Sequence, residues 1–240
     1  MYEAHDRVPE RAPELEHAFN ARAVRRFAAL SSDARSAAPA DESQFWRRAC
    51  RGELSLIDTF FEGERCYALW RARVGRSLSP RRRQILERIL LGARPKVVAI
   101  ELRVSPSSVS GAVAQSLRYL GFDDRGTGVP LVLVLAARAA ATGQHFDARQ
   151  SRFELEGVEF LVLSARRPDL SIATVLSPAE LEVLASLVEG RSHGEISELR
   201  GTSRRTVANQ LGSAYRKLGV SGRMELIDEL VRRAPCAGAQ

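Results

Sequence analysis

Lysine, cysteine and histidine are scarce in this chain, and each scarcity excludes something. Lys96 and Lys217 are the only lysines, so almost all of the 36 basic residues are arginine. A bias toward arginine of this kind is also what genome composition produces, which discounts the net charge of +7 and the isoelectric point near 10.0 as a functional signal. Both still suit a nucleic-acid partner, because neutralising phosphates supplies most non-specific affinity. Cys50, Cys66 and Cys236 form no CxxC pair and leave one thiol over in any pairing, which argues for a reducing cytosol. His5, His17, His145 and His193 are scattered without metal-ligand spacing, so no metal is expected. The longest apolar run, residues 129–137, contains Pro130 and falls short of the ~20 residues needed to span a bilayer. Residues 1–10 are charged and lack a signal-peptide core, so the expected location is the cytoplasm. No phosphate-binding glycine loop, nucleophile elbow or framed carboxylate pair occurs; neither enzyme activity nor a cofactor is expected. Asp58 and Glu62, near a turn, read as solvated hairpin residues.

What the chain does contain is one helix-rich segment written twice, at a constant offset and without a gap. Leu78-Ser79-Pro80 returns as Leu176-Ser177-Pro178, Gly92 as Gly190, Ser105 as Ser203, Val109 as Val207, and Arg118, Leu120 and Gly121 as Arg216, Leu218 and Gly219. An internal repeat outranks local pattern in reading a fold. In each copy Ser-Pro supplies a cap and a preset φ, so helices should begin at Pro80 and Pro178. Apolar residues at helical spacing follow until Gly92 or Gly190 provides a left-handed stop. Short helices are predicted over residues 97–102 and 195–200. A tight turn then ends on Ser105 or Ser203, caps of a third helix with Val109, Val113, Leu117 and Leu120, or Val207, Leu211, Tyr215 and Leu218, on its inner face. Helix, short helix, turn and longer helix make a helix-turn-helix, whose last helix lies in the DNA major groove.

At these residues the second copy resembles the LuxR-type, or GerE-type, DNA-binding domain of bacterial transcription regulators. The match runs through Gly190, Glu195-Ile196, Gly201-Thr202-Ser203, Thr206-Val207 and Tyr215-Arg216-Lys217-Leu218-Gly219-Val220 to Arg223, Glu225 and Leu226. The resemblance implies a fourth helix over residues 224–232, with Leu226, Ile227, Leu230 and Val231 as an apolar face that relatives often use for dimer contact. It also implies double-stranded DNA as partner, RNA polymerase as a second candidate partner, and association with the nucleoid. The chain departs from the family pattern at Ala208 and Gln210, where a basic residue and a histidine are usual, and at Arg200, a position usually apolar. The expected DNA-binding residues are Ser203 as cap, Arg204, Arg205, Thr206, Asn209 and Gln210 toward base edges or nearby phosphates, and Arg216 and Lys217 on the backbone.

The first copy carries no charge on its third helix before Arg118. Ser107, Ser108, Ser110 and Gln115 offer hydrogen bonds only, and nothing there can make a bidentate arginine contact with guanine. Arg81, Arg82 and Arg83 sit in the first turn of a helix, where the macrodipole disfavours cations, and so mark secondary phosphate contacts together with Ser107 and Ser108. A solvated charge cluster is the plainer reading of the same arginines.

Each copy is preceded by a pattern that reads as a β-hairpin, residues 54–71 around Gly63 and residues 152–165 around Gly157. Isolated hairpins are marginal in water, so pairing edge to edge is a way to join the halves. The expected fold is mainly α: two four-helix LuxR-like units, each with a hairpin. The divisions are residues 1–43 (a helix over 17–30, then a linker), 44–142, 143–175 and 176–235. The first unit's fourth helix falls over residues 129–141, after a loop at 123–128, with Leu131, Val132, Leu135 and Ala136 as its apolar face. Two such faces pair between molecules or within one, and the preferred expectation is a homodimer. The function expected is sequence-specific transcription regulation. A sigma-factor-like promoter-binding protein and an interaction adaptor built from degenerate helix-turn-helix units are the alternatives.

Overall fold

The computed structural model describes residues 38–122, 129, 131–144, 146–155, 157–170 and 174–233. The expected helix over 17–30 and the loop at 123–128 lie outside the described residues. Strand β1 (Ala38–Pro39) leads into helix α1 (Glu42–Cys50), which the sequence reading did not anticipate. Asp41 caps this helix by accepting from the Gln44 amide at 2.8 Å. Phe45, Trp46, Ala49 and Cys50 recur at helical spacing and are at most 3% exposed, so the division expected at residue 43 falls inside a buried helix.

The two hairpins form as their turn glycines predict. Strands β2 (Leu54–Glu62) and β3 (Arg65–Ala72) turn at Gly63, and β4 (Arg149–Leu155) and β5 (Val158–Arg166) turn at Gly157, with φ of 55° and 76°. They join edge to edge in an antiparallel sheet of order β1-β4-β5-β3-β2, with β3 on β5 from Arg65↔Arg166 to Arg71↔Phe160. The second hairpin is thus part of the central sheet and not merely a connection. Because strand side chains alternate, Cys66, Ala68 and Trp70 of β3 and Leu161, Leu163 and Ala165 of β5 face the helices. Burial pushes the Cys50 and Cys66 thiols up to about 12, which makes them inert core residues.

The remaining helices are α2 (Pro80–Leu90), α3 (Pro95–Glu101), α4 (Pro106–Tyr119) and α5 (Leu131–Thr142), followed after the second hairpin by α6 (Pro178–Val188), α7 (His193–Arg200), α8 (Arg204–Leu218) and α9 (Arg223–Arg233); α5 packs on β3 and β5. Ser79 and Ser177 cap α2 and α6 with proline in the first turn, as expected. Helices α3 and α7 begin two residues earlier than periodicity suggests. Pro95 opens α3, and a capping box between Ser192 and Glu195 opens α7.

The two fourth-helix faces are not available to a partner molecule. Every residue of α5 from Leu131 through Ala139 is buried, and the helix lies between α1, α2 and the sheet. A helix apolar on all sides belongs in a core. Leu226, Ile227, Leu230 and Val231 of α9 are each at most 3% exposed in the same core. At roughly 1.5–3 kcal/mol per buried aliphatic side chain, four of them contribute about 6–12 kcal/mol, comparable to the whole stability of a typical domain. The two faces named for homodimer contact are thus both buried within one chain.

Polar contacts fix the junction. Arg138 of α5 pairs with Asp228 of α9, the side chains being 10% and 13% exposed. Arg223 donates from Nε to the Leu187 carbonyl at 2.9 Å and from Nη2 to the Val129 carbonyl at 2.6 Å, tying the end of α6 to the chain before α5. Arg94 reaches Glu225 at 3.5 Å. A Cβ at Gly92 would lie 3.2 Å from Cβ of Asp228, so the turn after α2 abuts α9.

Candidate nucleic-acid interface

Helix α8 is placed by a short turn from α7. Gly201 ends α7 in the left-handed region at φ 60°, and Ser203 caps α8 by accepting from the Thr206 amide at 3.0 Å. Val207, Leu211 and Ala214 are at most 2% exposed and lock the helix onto the core that holds Val183, Leu184 and Ile196. Leu218 packs against that core from its rim. The opposite face is open. Ser203, Arg204, Arg205, Thr206, Asn209, Arg216 and Lys217 are all exposed, with the small residues Ala208 and Gly212 between them. A helix with one buried stripe and a low, cationic outer face has the shape and charge for a major groove.

The structure separates the expected contact residues by how far each is already engaged. Among the described residues no acid pairs with Arg204, Arg205 or Arg216. The Arg204 guanidinium lies against Gly194 at the start of α7. Arg216 donates only to the Gly212 carbonyl one turn back, at 3.3 Å. The Ser203 and Thr206 hydroxyls bond each other at 2.9 Å, so both serve the cap. Lys217 donates to Glu180 at 2.7 Å, and the same carboxylate accepts the Ser177 amide at 2.8 Å. The Lys217 hydrogen bond, with the Ser177 amide second, holds the Glu180 carboxyl down at about 2. Gln210 is half-buried, and its Oε1 accepts from Arg200 at 2.7 Å. Arg200 also reaches Glu182 at 3.1 Å, so it ties α6, α7 and α8 together. The two departures at Arg200 and Gln210 are therefore in contact.

The first copy has a different surface. Ser105 caps α4 by accepting from the Ser108 amide at 3.0 Å, and its hydroxyl lies 2.8 Å from those of both Ser107 and Ser108. Ser107 and Ser108 are exposed but held in this local network. Arg81 donates to the Leu102 carbonyl, and Arg82 donates to Gln115 on α4 at 2.7 Å. Arg83 pairs with Glu87 at 2.7 Å, and Glu87 also accepts the Trp46 indole at 2.7 Å, so this charge is answered at the seam of α1 and α2. Arg81 and Arg82 remain exposed without an acidic partner among the described residues. The tight turn differs as well: where the second copy has Gly201, the first holds Arg103 at φ 51°.

These features define a helix-turn-helix with an exposed basic third helix. Residues 174–230 match the family model described as bacterial regulatory proteins, luxR family. A helix-turn-helix domain of that type implies DNA-binding transcription regulation. Two curated proteins, named as HTH-type transcriptional regulators of Mycobacterium bovis (Mb0914c) and Mycobacterium tuberculosis (MT0914), are each 40% identical to this chain over 58 residues. The aligned part is 24% of this chain but only 7% of either relative. None of the helices among the described residues is long and apolar enough to cross a membrane.

Proposed function

We propose that the protein is a transcription regulator that acts by binding double-stranded DNA, with α8 lying in the major groove. The observation that carries this reading is the exposed face of α8, on which Arg204, Arg205 and Arg216 have no acidic partner among the described residues. Arg204, Arg205 and Asn209 contact base edges and adjacent phosphates, Arg216 holds the backbone, and Ser203 and Thr206 position the helix. Lys217 and Gln210 contribute less, since Glu180 and Arg200 already engage them.

The reading extends to the duplication. Helices α2, α3 and α4 form a second helix-turn-helix unit in tandem with the first, and Arg81 and Arg82 touch phosphates without reading sequence. The burial of α5 and α9 in one core supports an intrachain arrangement, in which the first unit occupies the face of α9 that a partner subunit would otherwise take. RNA polymerase is the machinery whose access such binding would alter. Light scattering with DNase footprinting tests this proposal. A monomeric mass with a single asymmetric footprint is expected; a dimeric mass protecting two symmetric half-sites about 10 bp apart, or a multiple, would overturn the intrachain arrangement.

A further inference from the structure

Helix α8 carries a glycine that its own fold does not require. Gly212 lies in the middle of the helix, where glycine is the poorest helix former after proline. Its φ lies outside the left-handed region, so the backbone there suits any L residue. A Cβ built on it would meet nothing within 4 Å, so no neighbour among the described residues needs the space. Even Arg216, which donates to the Gly212 carbonyl at 3.3 Å, does not crowd that point. Gly194 is the contrast within the same domain, because a Cβ there would lie 3.2 Å from the Arg204 guanidinium.

The place of Gly212 on the helix gives the gap a use. At helical spacing Arg205, Asn209, Gly212 and Arg216 fall within one sector of about 60°, on the side opposite Val207, Leu211 and Ala214. All four are exposed. Gly212 is therefore the low point of a polar ladder, with a cation above it and another below. Where packing inside the chain does not call for a glycine, close approach of the backbone to a ligand remains as its steric use. The first copy supplies a control. Gly111 also lies inside a helix with open space at its Cβ. Around it, however, Ser107 stands where the second copy has Arg205, and α4 carries no cation before Arg118, so that helix lacks the charge to hold a duplex against its backbone.

We propose, resting on the reading of α8 as the helix that enters the major groove, that Gly212 is where its backbone comes closest to the base edges and that Asn209, one turn back, reads an adenine beside it. Asparagine meets adenine N6 and N7 with two hydrogen bonds, and a methyl group at position 212 would hold the helix off and lengthen both. Stability and binding should then move in opposite directions. In the full-length chain, Gly212→Ala and Gly111→Ala should each raise the melting temperature by about 2–4 °C, since alanine is the better helix former. On the duplex that the parent enriches from a random-sequence pool, Gly212→Ala should bind about tenfold more weakly, as one lost base contact costs, while Gly111→Ala binds as the parent does. Asn209→Ala should lose the preference for adenine at one position of that duplex. A lower melting temperature for Gly212→Ala, affinity equal to the parent's, equal losses from the two glycine variants, or no adenine that Asn209 controls would each overturn the proposal. A parent that enriches no duplex at all would instead defeat the reading of α8 on which it rests.

Discussion

Replacing Asp228 by alanine should be among the most damaging single changes in this chain. The carboxylate and its partner Arg138 are 13% and 10% exposed, between α5 and α9. Removing it takes the carboxylate from a guanidinium that is only 10% exposed and that also donates to Gln144 at 3.5 Å. Breaking a buried ion pair from one side costs about 3–5 kcal/mol, a large part of the roughly 5–15 kcal/mol that holds a typical domain. Removing both charges in favour of apolar residues of similar volume is often neutral, so Arg138→Met with Asp228→Leu should recover most of the loss. Urea unfolding of the parent, both single variants and the double variant closes the cycle, and a coupling energy of about 2–3 kcal/mol is expected. Singles that each cost less than about 1 kcal/mol, with additive doubles, would show that the pair is solvated. The account of α9 as an internal element would then fail.

Other consequences are local. Leu211→Ala should lower stability by about 2–5 kcal/mol and reduce DNA binding only in proportion to the unfolded fraction; a variant that melts like the parent yet fails to bind would make Leu211 a contact residue. Gly201→Ala should destabilise by about 1–2 kcal/mol because the turn needs a left-handed residue, whereas Arg103→Gly should stabilise the first unit slightly, and opposite signs in thermal melts would refute this. Glu180 has a depressed folded pKa, so its contribution is fully present above the unfolded value near 4.5 and is lost as pH falls toward about 2. The gap in urea midpoint between the parent and Glu180→Gln should therefore narrow through that window, and a constant gap would contradict it.

How much of this was legible beforehand depends on whether the signal is local. Helix starts at Pro80 and Pro178, the hairpin turns at Gly63 and Gly157 and the inner face of α8 follow from caps, left-handed glycines and period, all within a few residues. The joining of the hairpins was also within reach, because two-stranded hairpins need a neighbour. Helix α1 was missed although Asp41, Glu42 and the Phe45-Trp46-Ala49-Cys50 spacing announce it. Periodicity shows that Leu226, Ile227, Leu230 and Val231 share an apolar face but not what that face meets. The unbroken apolar run in α5 was the available hint that its partner lies in the same chain. The commitments of Lys217 to Glu180 and of Arg138 to Asp228 span 37 and 90 residues, beyond any local pattern.

The exposed arginines of α8 carry the functional account, and a DNA titration at two salt concentrations tests them most directly. Fluorescence anisotropy with a labelled duplex at about 50 and 200 mM salt should show binding that weakens steeply with salt, as phosphate neutralisation requires. Arg204→Ala with Arg205→Ala should lose an order of magnitude or more in affinity, at about 1–3 kcal/mol for each good base contact, while Ser107→Ala with Ser108→Ala should lose much less. Equal losses from the two pairs, or no salt-dependent binding by the parent, would contradict the assignment of α8 as the helix that reads DNA.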